Sequence, residues 1–104
     1  MATIKIDKVR CIRQQDITGD DEPKLYIAGQ WVWDAKMDKG ESEYPNVSRK
    51  FSDSVLVELK EQNNNSEKSL GKWTVNETPT VPNNPPLTAT SSGYHYEVWY
   101  DVTK

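Results

Sequence analysis

Residues 51–75 read FSDSVLVELKEQNNNSEKSLGKWTV, and this stretch decides the fold. In its first half, apolar residues alternate with other residues, at Val55, Val57 and Leu59. That two-residue period is typical of a strand with one buried face. A polar segment, 61–69, follows, and beyond it Trp73 and Val75 share a face. The pattern predicts two antiparallel strands joined by a mobile polar loop.

The same alternation recurs near both ends of the chain. Ile4 and Ile6 are in phase, and a one-residue shift then makes Val9 and Cys11 the apolar set, which predicts a β-bulge. The final strand, 94–102, has a predicted core face of aromatic and branched residues: Tyr94, Tyr96, Val98, Tyr100 and Val102. No segment has the 3.6-residue period of a helix. The sequence therefore predicts an all-β fold of about seven or eight strands, organised as an antiparallel β-sandwich.

The middle of the chain is less regular. Residues 25–33 are β-prone on both faces and predict one central strand with Trp31 and Trp33 on the same face. The charged segment 34–45 is expected to be a long connection. A proline-rich connector follows Val75 and is expected to contain a short edge strand at 87–90, because proline cannot donate to a central ladder.

Composition limits the function classes. The chain has 104 residues, which is enough for one domain, 1–104, with one modest core. A net charge of −3 disfavours nucleic acid, which is bound through clustered Lys and Arg. One cysteine excludes an internal disulfide. The first residues lack the apolar core of a signal peptide, so we expect a soluble cytoplasmic protein, with non-classical export as the alternative.

Several segments in order carry a resemblance that covers nearly the whole chain: IKIDKVRC, GDDEPKLYI, the VW and KMDKGES pair, VLVELKEQ, SLGKWTV and YHYEVWYDV. Together they resemble a small, stand-alone bacterial and fungal version of the calcium- and phospholipid-binding C-two domain. The resemblance implies a Greek-key β-sandwich. It also implies calcium bound between two loops, because that family uses aspartates after the VLVEL-like strand together with acidic residues of the first loop.

The second of these loops departs from the family pattern. Residues 61–69 contain amides, serines, Lys68 and two glutamates, Glu61 and Glu67, but no aspartate. The first loop offers a partial set of oxygen ligands: Asp16, Asp20, Asp21 and Glu22. Calcium prefers six to eight oxygens, several from carboxylates. We therefore favour a solvated acidic turn with no cofactor, and keep calcium at these four residues as the alternative.

Catalytic groups are scarce. Cys11 and His95 are single residues of their kind, which excludes a Cys/His zinc site. Cys11 lies on an apolar stripe and is expected to be a buried thiol, and His95 is expected at the surface. The chain has no G-x-S-x-G motif and no phosphate-binding loop. We expect a protein that is not an enzyme.

Aromatic residues are the strongest functional signal. The chain has four Trp and five Tyr, most of them expected in the core. Exposed Trp residues in a sandwich commonly stack on sugars or anchor protein contacts. We predict Trp31, Trp99 and Trp73 as ligand-binding residues, with partly covered outer-face Trp residues as the alternative. The predicted function is a calcium-independent recognition module for a protein or carbohydrate. The rival is a calcium-dependent phospholipid- or membrane-binding module that uses the acidic 16–22 loop.

Overall fold

The computed structural model of the chain describes residues 1–13, 21–63 and 66–104. These residues contain no helix and form nine strands, so the predicted all-β class is confirmed for the described part of the chain. The strands are β1 (Ala2–Arg13), β2 (Pro23–Ile27), β3 (Gln30–Asp34), β4 (Ser42–Glu43), β5 (Val47–Phe51), β6 (Ser54–Asn63), β7 (Ser66–Asn76), β8 (Leu87–Ser91) and β9 (Tyr94–Thr103).

The strands form two antiparallel sheets. The five-stranded sheet, called the β1 sheet below, has the order β4-β1-β9-β8, and β5 pairs with β1 next to β4. The four-stranded sheet, called the β6 sheet, has the order β3-β2-β6-β7. Buried side chains of both sheets belong to one hydrophobic cluster, and burial of each large one contributes about 1.5–3 kcal/mol.

The strand phases predicted from alternation are confirmed in three places. On β6 the predicted core residues are buried: Val55, Val57 and Leu59. On β9 the predicted face is buried, with Tyr100 partly buried against the same cluster. On β1, Ile6 pairs with Tyr100 and Lys8 with Trp99, so Asp7 is the extra residue of a bulge. That bulge keeps both Ile6 and Val9 in the core.

The single strand predicted over 25–33 is wrong, because the chain reverses at Ala28 and Gly29. These two residues have φ angles of 54° and 80°, the left-handed pair of a two-residue hairpin turn. The turn connects β2 to β3, which pair antiparallel. Ala28 tolerates this conformation poorly compared with Asn or Asp, which is why the usual sequence signal for such a turn is missing.

Two predicted connections are more ordered than expected. Within 34–45, Met37 is fully buried, its backbone bridges Asp21, and β4 follows. The polar 61–69 loop is largely strand, because β6 extends to Asn63 and β7 begins at Ser66. Backbone pairing needs no apolar side chain, so polarity did not end these strands. The edge strand predicted near 87–90 is confirmed as β8.

Candidate functional site

The outer face of the β6 sheet carries a cluster of aromatic and charged side chains. Lys24 and Tyr26 point outward from β2 because Leu25 and Ile27, which alternate with them, are fully buried. Trp31 of β3 is directly opposite Tyr26, and its residue surface is 56% exposed. Lys60 of β6 is opposite Lys24. Together with Glu67 of β7, these residues form the outer-face cluster.

A bulge in β3 gives the two Trp residues different faces, so the prediction that Trp31 and Trp33 share one face is wrong. Trp33 pairs with Leu25, and the next pair is Trp31 with Tyr26, which leaves Val32 as the extra residue. An extra residue moves every later side chain to the opposite face. Trp33 therefore packs against the core, and Trp31 lies beside Tyr26.

A second bulge, in β7, brings Glu67 into the cluster. Leu59 pairs with Gly71 and Lys60 with Ser69, so Leu70 is the extra residue. Leu70 is buried, and beyond it Glu67 is opposite Gln62. Without this extra residue, Glu67 would continue the phase of Trp73 and Val75 and face inward. The two bulges thus bring Trp31 of β3 and Glu67 of β7 to the same face as the cluster residues of β2 and β6.

Glu67 is the centre of the polar contacts in the cluster. The Tyr26 hydroxyl donates a hydrogen bond to Glu67 Oε2 at 2.5 Å. Lys24 Nζ lies 3.4 Å from the same oxygen, and Lys60 Nζ lies 3.8 Å from Oε1. The lysines also contact the rings: Lys24 Nζ is 4.3 Å from the Trp31 ring centre and Lys60 Nζ is 4.6 Å from that of Tyr26. Each cation therefore contacts both the carboxylate and an aromatic ring.

These contacts shift two pKa values in opposite directions. The hydrogen bond from Tyr26 and the charges of Lys24 and Lys60 hold the pKa of Glu67 below its usual value. The same hydrogen bond, together with desolvation, raises the pKa of Tyr26 to about 12. At neutral pH the carboxylate is ionised and the phenol keeps its proton. The cluster consequently offers an exposed aromatic ring beside a fixed carboxylate and two ammonium groups.

Trp73 and Trp99 do not join Trp31. Trp73 packs against the core, and its ring covers Gly71, where an added Cβ would lie 2.7 Å from Trp73 Cζ2. Trp99 lies on the outer face of the β1 sheet, with Lys8 Nζ 4.9 Å from its ring centre. Its indole Nε1 is buried and has no hydrogen-bond partner among the residues described. The three predicted ligand-binding Trp residues therefore do not lie together: Trp31 is on the outer face of the β6 sheet, Trp73 packs against the core, and Trp99 is on the outer face of the β1 sheet.

The predicted acidic turn is only partly described. Asp16 and Asp20 lie outside the described residues. Asp21 is fully buried and accepts a hydrogen bond from the Tyr96 hydroxyl, so at this position the expectation of a solvated turn is wrong. Glu22 is half-buried, and its backbone N–H is 3.4 Å from Glu61 Oε1. The backbone of Asp21 bridges Met37, which is also fully buried.

The second predicted calcium loop is also rearranged. Glu61 is almost fully buried at the end of β6, while Glu67 points to the outer-face cluster. Among the described residues, no group of three or more His, Cys, Asp or Glu side chains is arranged to hold a metal ion. Asn64 and Asn65 lie outside the described residues. The favoured absence of calcium and the alternative, calcium at the four first-loop residues, both stay untested predictions.

Cys11 and His95 differ in burial and do not form a pair. Cys11 is fully buried, as predicted, and burial raises the pKa of its thiol, which disfavours the nucleophilic thiolate. His95 is half-buried rather than fully at the surface, and it alternates with the inward-facing Tyr94 and Tyr96. Cys11 and His95 consequently belong to opposite faces of the β1 sheet.

Trp31 was predicted from the sequence as a ligand contact, whereas its neighbours in the outer-face cluster were not. The alternation of Lys24 and Tyr26 with buried residues was available as a signal, but their contact with Glu67 depends on the bulge at Leu70, for which Gly71 is only a weak signal. No protein-family model matches this chain, and no curated protein sequence matches it either. In the ranges 1–13, 21–63 and 66–104 there is no helix of the length and apolarity needed to cross a membrane.

Proposed function

We propose that the chain is a calcium-independent, non-catalytic recognition module that binds a carbohydrate or protein ligand through the outer-face cluster. The observation that carries the proposal is the 56% exposure of Trp31 beside a fixed set of polar groups. Exposing a large aromatic ring to water is unfavourable, so a ligand that covers the ring gains free energy of binding. The sheet backbone under the ring keeps the platform rigid, which lowers the entropic cost of binding.

Of the two ligand classes, a carbohydrate fits the cluster better. The apolar face of a sugar ring packs on an aromatic side chain, and its hydroxyl groups need both donors and acceptors nearby. Lys24 and Lys60 supply N–H donors, and Glu67 supplies acceptor oxygens, all close to Trp31 and Tyr26. A protein ligand would use the same ring as an anchor, with Leu56, 40% exposed, as additional apolar surface.

The cluster supports binding rather than catalysis. A general acid or base needs a pKa near the working pH. The lowered pKa of Glu67 and the raised pKa of Tyr26 move both groups away from neutrality, so neither is suited to exchange a proton at pH 7. We therefore assign these residues to ligand orientation.

The finer fold assignment belongs to the same proposal. Two antiparallel sheets with a shared hydrophobic cluster are compatible with a Greek-key sandwich of the C-two type. Two carboxylates that could have bound calcium are used in other contacts: Asp21 is buried against Tyr96, and Glu67 accepts a hydrogen bond from Tyr26 on the outer face of the β6 sheet. This supports a version of the fold that does not use calcium.

A glycan array with the parent protein and Trp31→Ala tests the proposal. We expect the parent to bind a restricted set of glycans and Trp31→Ala to lose that binding. Tyr44→Ala is the matched control, because Tyr44 is a 65% exposed aromatic residue outside the cluster. If Trp31→Ala bound the same glycans as the parent, the assignment of the outer-face cluster as the binding site would be wrong. An array on which the parent binds nothing would contradict the carbohydrate ligand, and a pull-down compared between parent and Trp31→Ala would then test the protein ligand.

A further inference from the structure

The connector between β7 and β8 contains an exposed segment that the outer-face cluster does not use. Residues 78–82 read TPTVP, so two prolines stand three residues apart and each follows a β-branched residue. Proline fixes its own φ at about −65° and biases the residue before it towards extended backbone. In the structure, residues 78–82 lie outside the strands and have negative φ angles. These constraints favour the polyproline II conformation, a helix with three residues per turn.

Three residues per turn divide the segment into three edges. Pro79 and Pro82 fall on one edge. Thr78 and Val81 fall on the next, so both residue–proline pairs share one side of the helix. All four residues are exposed, and Val81 is 69% exposed although it is apolar. Thr80 falls on the third edge and is half-buried, so the side with both proline pairs faces away from the sandwich.

Thr80 fixes this segment to the β1 sheet. Its backbone N–H donates to the backbone oxygen of Val102 at 3.0 Å, and its Oγ1 accepts the N–H of Val102 at 3.0 Å. At the start of the segment, the N–H of Thr78 donates to Asn76 Oδ1 at 2.9 Å. The segment is therefore held in shape before a partner arrives, which lowers the entropic cost of binding.

Asn83 sets the end of the segment. A second pair of prolines three residues apart, Pro82 and Pro85, follows directly. Asn83 lies between them with a φ of 65°, which is left-handed backbone and interrupts a polyproline II helix. A partner that binds this type of helix can use residues 78–82 but not residues 82–85. The chain thus contains a matched pair of motifs that differ in backbone conformation.

Segment 78–82 lies at one end of the sandwich. Val102, to which Thr80 is bound, pairs with Ile4 near the start of β1. From there β1 continues to Arg13, roughly 30 Å away along an extended strand. Arg13 and the tip of the β6–β7 hairpin, next to which the described ranges are interrupted, are both at that far end. The exposure of segment 78–82 is consequently set by described residues.

The chemistry of the exposed side is apolar and uncharged. Glu77, the charged residue that precedes the segment, has Oε1 3.8 Å from Lys104 Nζ and accepts the N–H of Asp53 at 3.2 Å. Residues 78–82 carry no charge. Proline also has no N–H, so an apolar groove that covers Pro79 and Pro82 leaves no donor unpaired at either position.

We propose that residues 78–82 are the docking segment for a partner protein domain with an aromatic-lined groove, of the kind that SH3 and WW domains have. Such grooves bind P-x-x-P segments in the polyproline II conformation. Pro79 and Pro82 pack between aromatic side chains of the partner, and Val81 adds apolar contact area. Thr80 stays against β9 and keeps the opposite side free.

The measurement is binding of the full chain to a panel of purified SH3 and WW domains, with amide NMR of the chain to locate the contact. We expect saturable binding to at least one domain, with shifts at the amides of Thr78, Thr80 and Val81. Pro79→Ala and Pro82→Ala should each weaken the binding on the order of ten-fold, because each removes two ring CH₂ groups from the groove. The amide spectrum of each variant verifies that it is folded.

Pro85→Ala is the matched control, because Pro85 is exposed in the same connector but lies beyond Asn83. Its affinity should equal that of the parent. The proposal is overturned if no domain of the panel binds, or if Pro79→Ala and Pro82→Ala bind as tightly as the parent. An equal loss in Pro85→Ala, or amide shifts at the outer-face cluster instead of at residues 78–82, would overturn it as well.

Discussion

Two tyrosine hydroxyls donate to carboxylates in this protein, one in the core and one on the surface. Tyr96 donates to Asp21, and both residues are fully buried. Tyr26 donates to Glu67 on the solvent-facing side of the β6 sheet. The chemistry of the two pairs is the same, and the environment differs. The comparison therefore isolates what burial does to a tyrosine–carboxylate contact.

Because it is buried, the Tyr96–Asp21 pair contributes to the stability of the fold. Asp21 precedes β2 and bridges Met37, whereas Tyr96 lies in the middle of β9, so the hydrogen bond joins distant parts of the chain through the core. Desolvation, and then the hydrogen bond to Asp21, raise the pKa of Tyr96 strongly. The second pair is hydrated and shares its carboxylate with two lysines, so it organises a surface with little influence on stability.

The largest expected effect is that of Tyr96→Phe on stability. The substitution keeps the ring and removes the donor, so the buried Asp21 carboxylate loses a charge-assisted hydrogen bond. We expect the free energy of unfolding to fall by about 3 kcal/mol, because a buried charge that loses a partner costs more than a neutral group does. Urea denaturation of the parent and the variant measures the change.

Tyr94→Phe is the control for Tyr96→Phe. Tyr94 is buried on the same strand, but its hydroxyl donates to a neutral acceptor, the backbone oxygen of Leu70, at 2.9 Å. Its loss should lower the free energy of unfolding by about 1 kcal/mol. Equal effects of the two substitutions would show that the charge of Asp21 does not distinguish the buried pair.

The second prediction concerns the alkaline titration of Tyr26. Its pKa of about 12 results chiefly from the hydrogen bond to Glu67, so Glu67→Gln should lower this pKa towards the ordinary value of about 10. A folded-state pKa above the unfolded one gives a stabilisation that is complete below pH 10 and is lost as the pH rises from 10 to 12. Carbon NMR of the Tyr26 ring follows the ionisation.

Glu58→Gln is the control for the titration, because Glu58 raises the pKa of Tyr26 only through its charge. It should lower the pKa less than Glu67→Gln does. A pKa of Tyr26 that is unchanged in Glu67→Gln would contradict the hydrogen bond on which the outer-face cluster depends.

The third prediction is the small stability effect of Tyr26→Phe. Hydrogen bonds and ion pairs at a hydrated surface contribute little, so we expect the free energy of unfolding to fall by less than about 1 kcal/mol. The same substitution should weaken ligand binding at the outer-face cluster, since Glu67 loses the hydroxyl that positions it while Lys60 keeps its contact with the ring. Urea denaturation and glycan binding are measured on the same sample. A loss as large as that of Tyr96→Phe would remove the distinction between the two pairs.

The sequence predicts the buried pair and the surface pair to different degrees. The phase of β9, which buries Tyr96, and the bulge of β1 were both predicted, because a strand with one covered face shows its register in its own alternation. Burial of Asp21 was not predicted, since nothing in the acidic run 16–22 marks one carboxylate as a partner for a tyrosine on a distant strand.

The surroundings of the surface pair depend on two β-bulges, which the alternation of apolar and polar residues does not predict. No sequence neighbour marks the bulge at Val32, whereas Gly71 is a weak signal for the one at Leu70, because Gly inside a strand often accompanies a bulge. Val32 and Leu70 are each the extra residue of their bulge. Their effect is to place Trp31 and Glu67 on the face of Tyr26. The turn at Ala28 and Gly29 was missed for a similar reason, because Ala is a rare first residue for a left-handed turn. Trp31 was predicted as a ligand contact, but its neighbours could be identified only from the strand registers in the structure.

The smallest expected effect is that of calcium on stability, and the two pairs explain why. A calcium site at the loop end would need several free carboxylates, but Asp21 is held in the core by Tyr96 and Glu67 is held on the outer face by Tyr26 and two lysines. We expect a dissociation constant weaker than about 1 mM, at the weak limit of natural calcium modules. Calcium at about 1 mM would then stabilise the fold by less than about 0.4 kcal/mol. Thermal melts with calcium and with chelator should therefore have nearly the same midpoint. A rise of several degrees that Asp21→Asn with Glu22→Gln abolishes would show instead that the acidic loop competes with Tyr96 for Asp21.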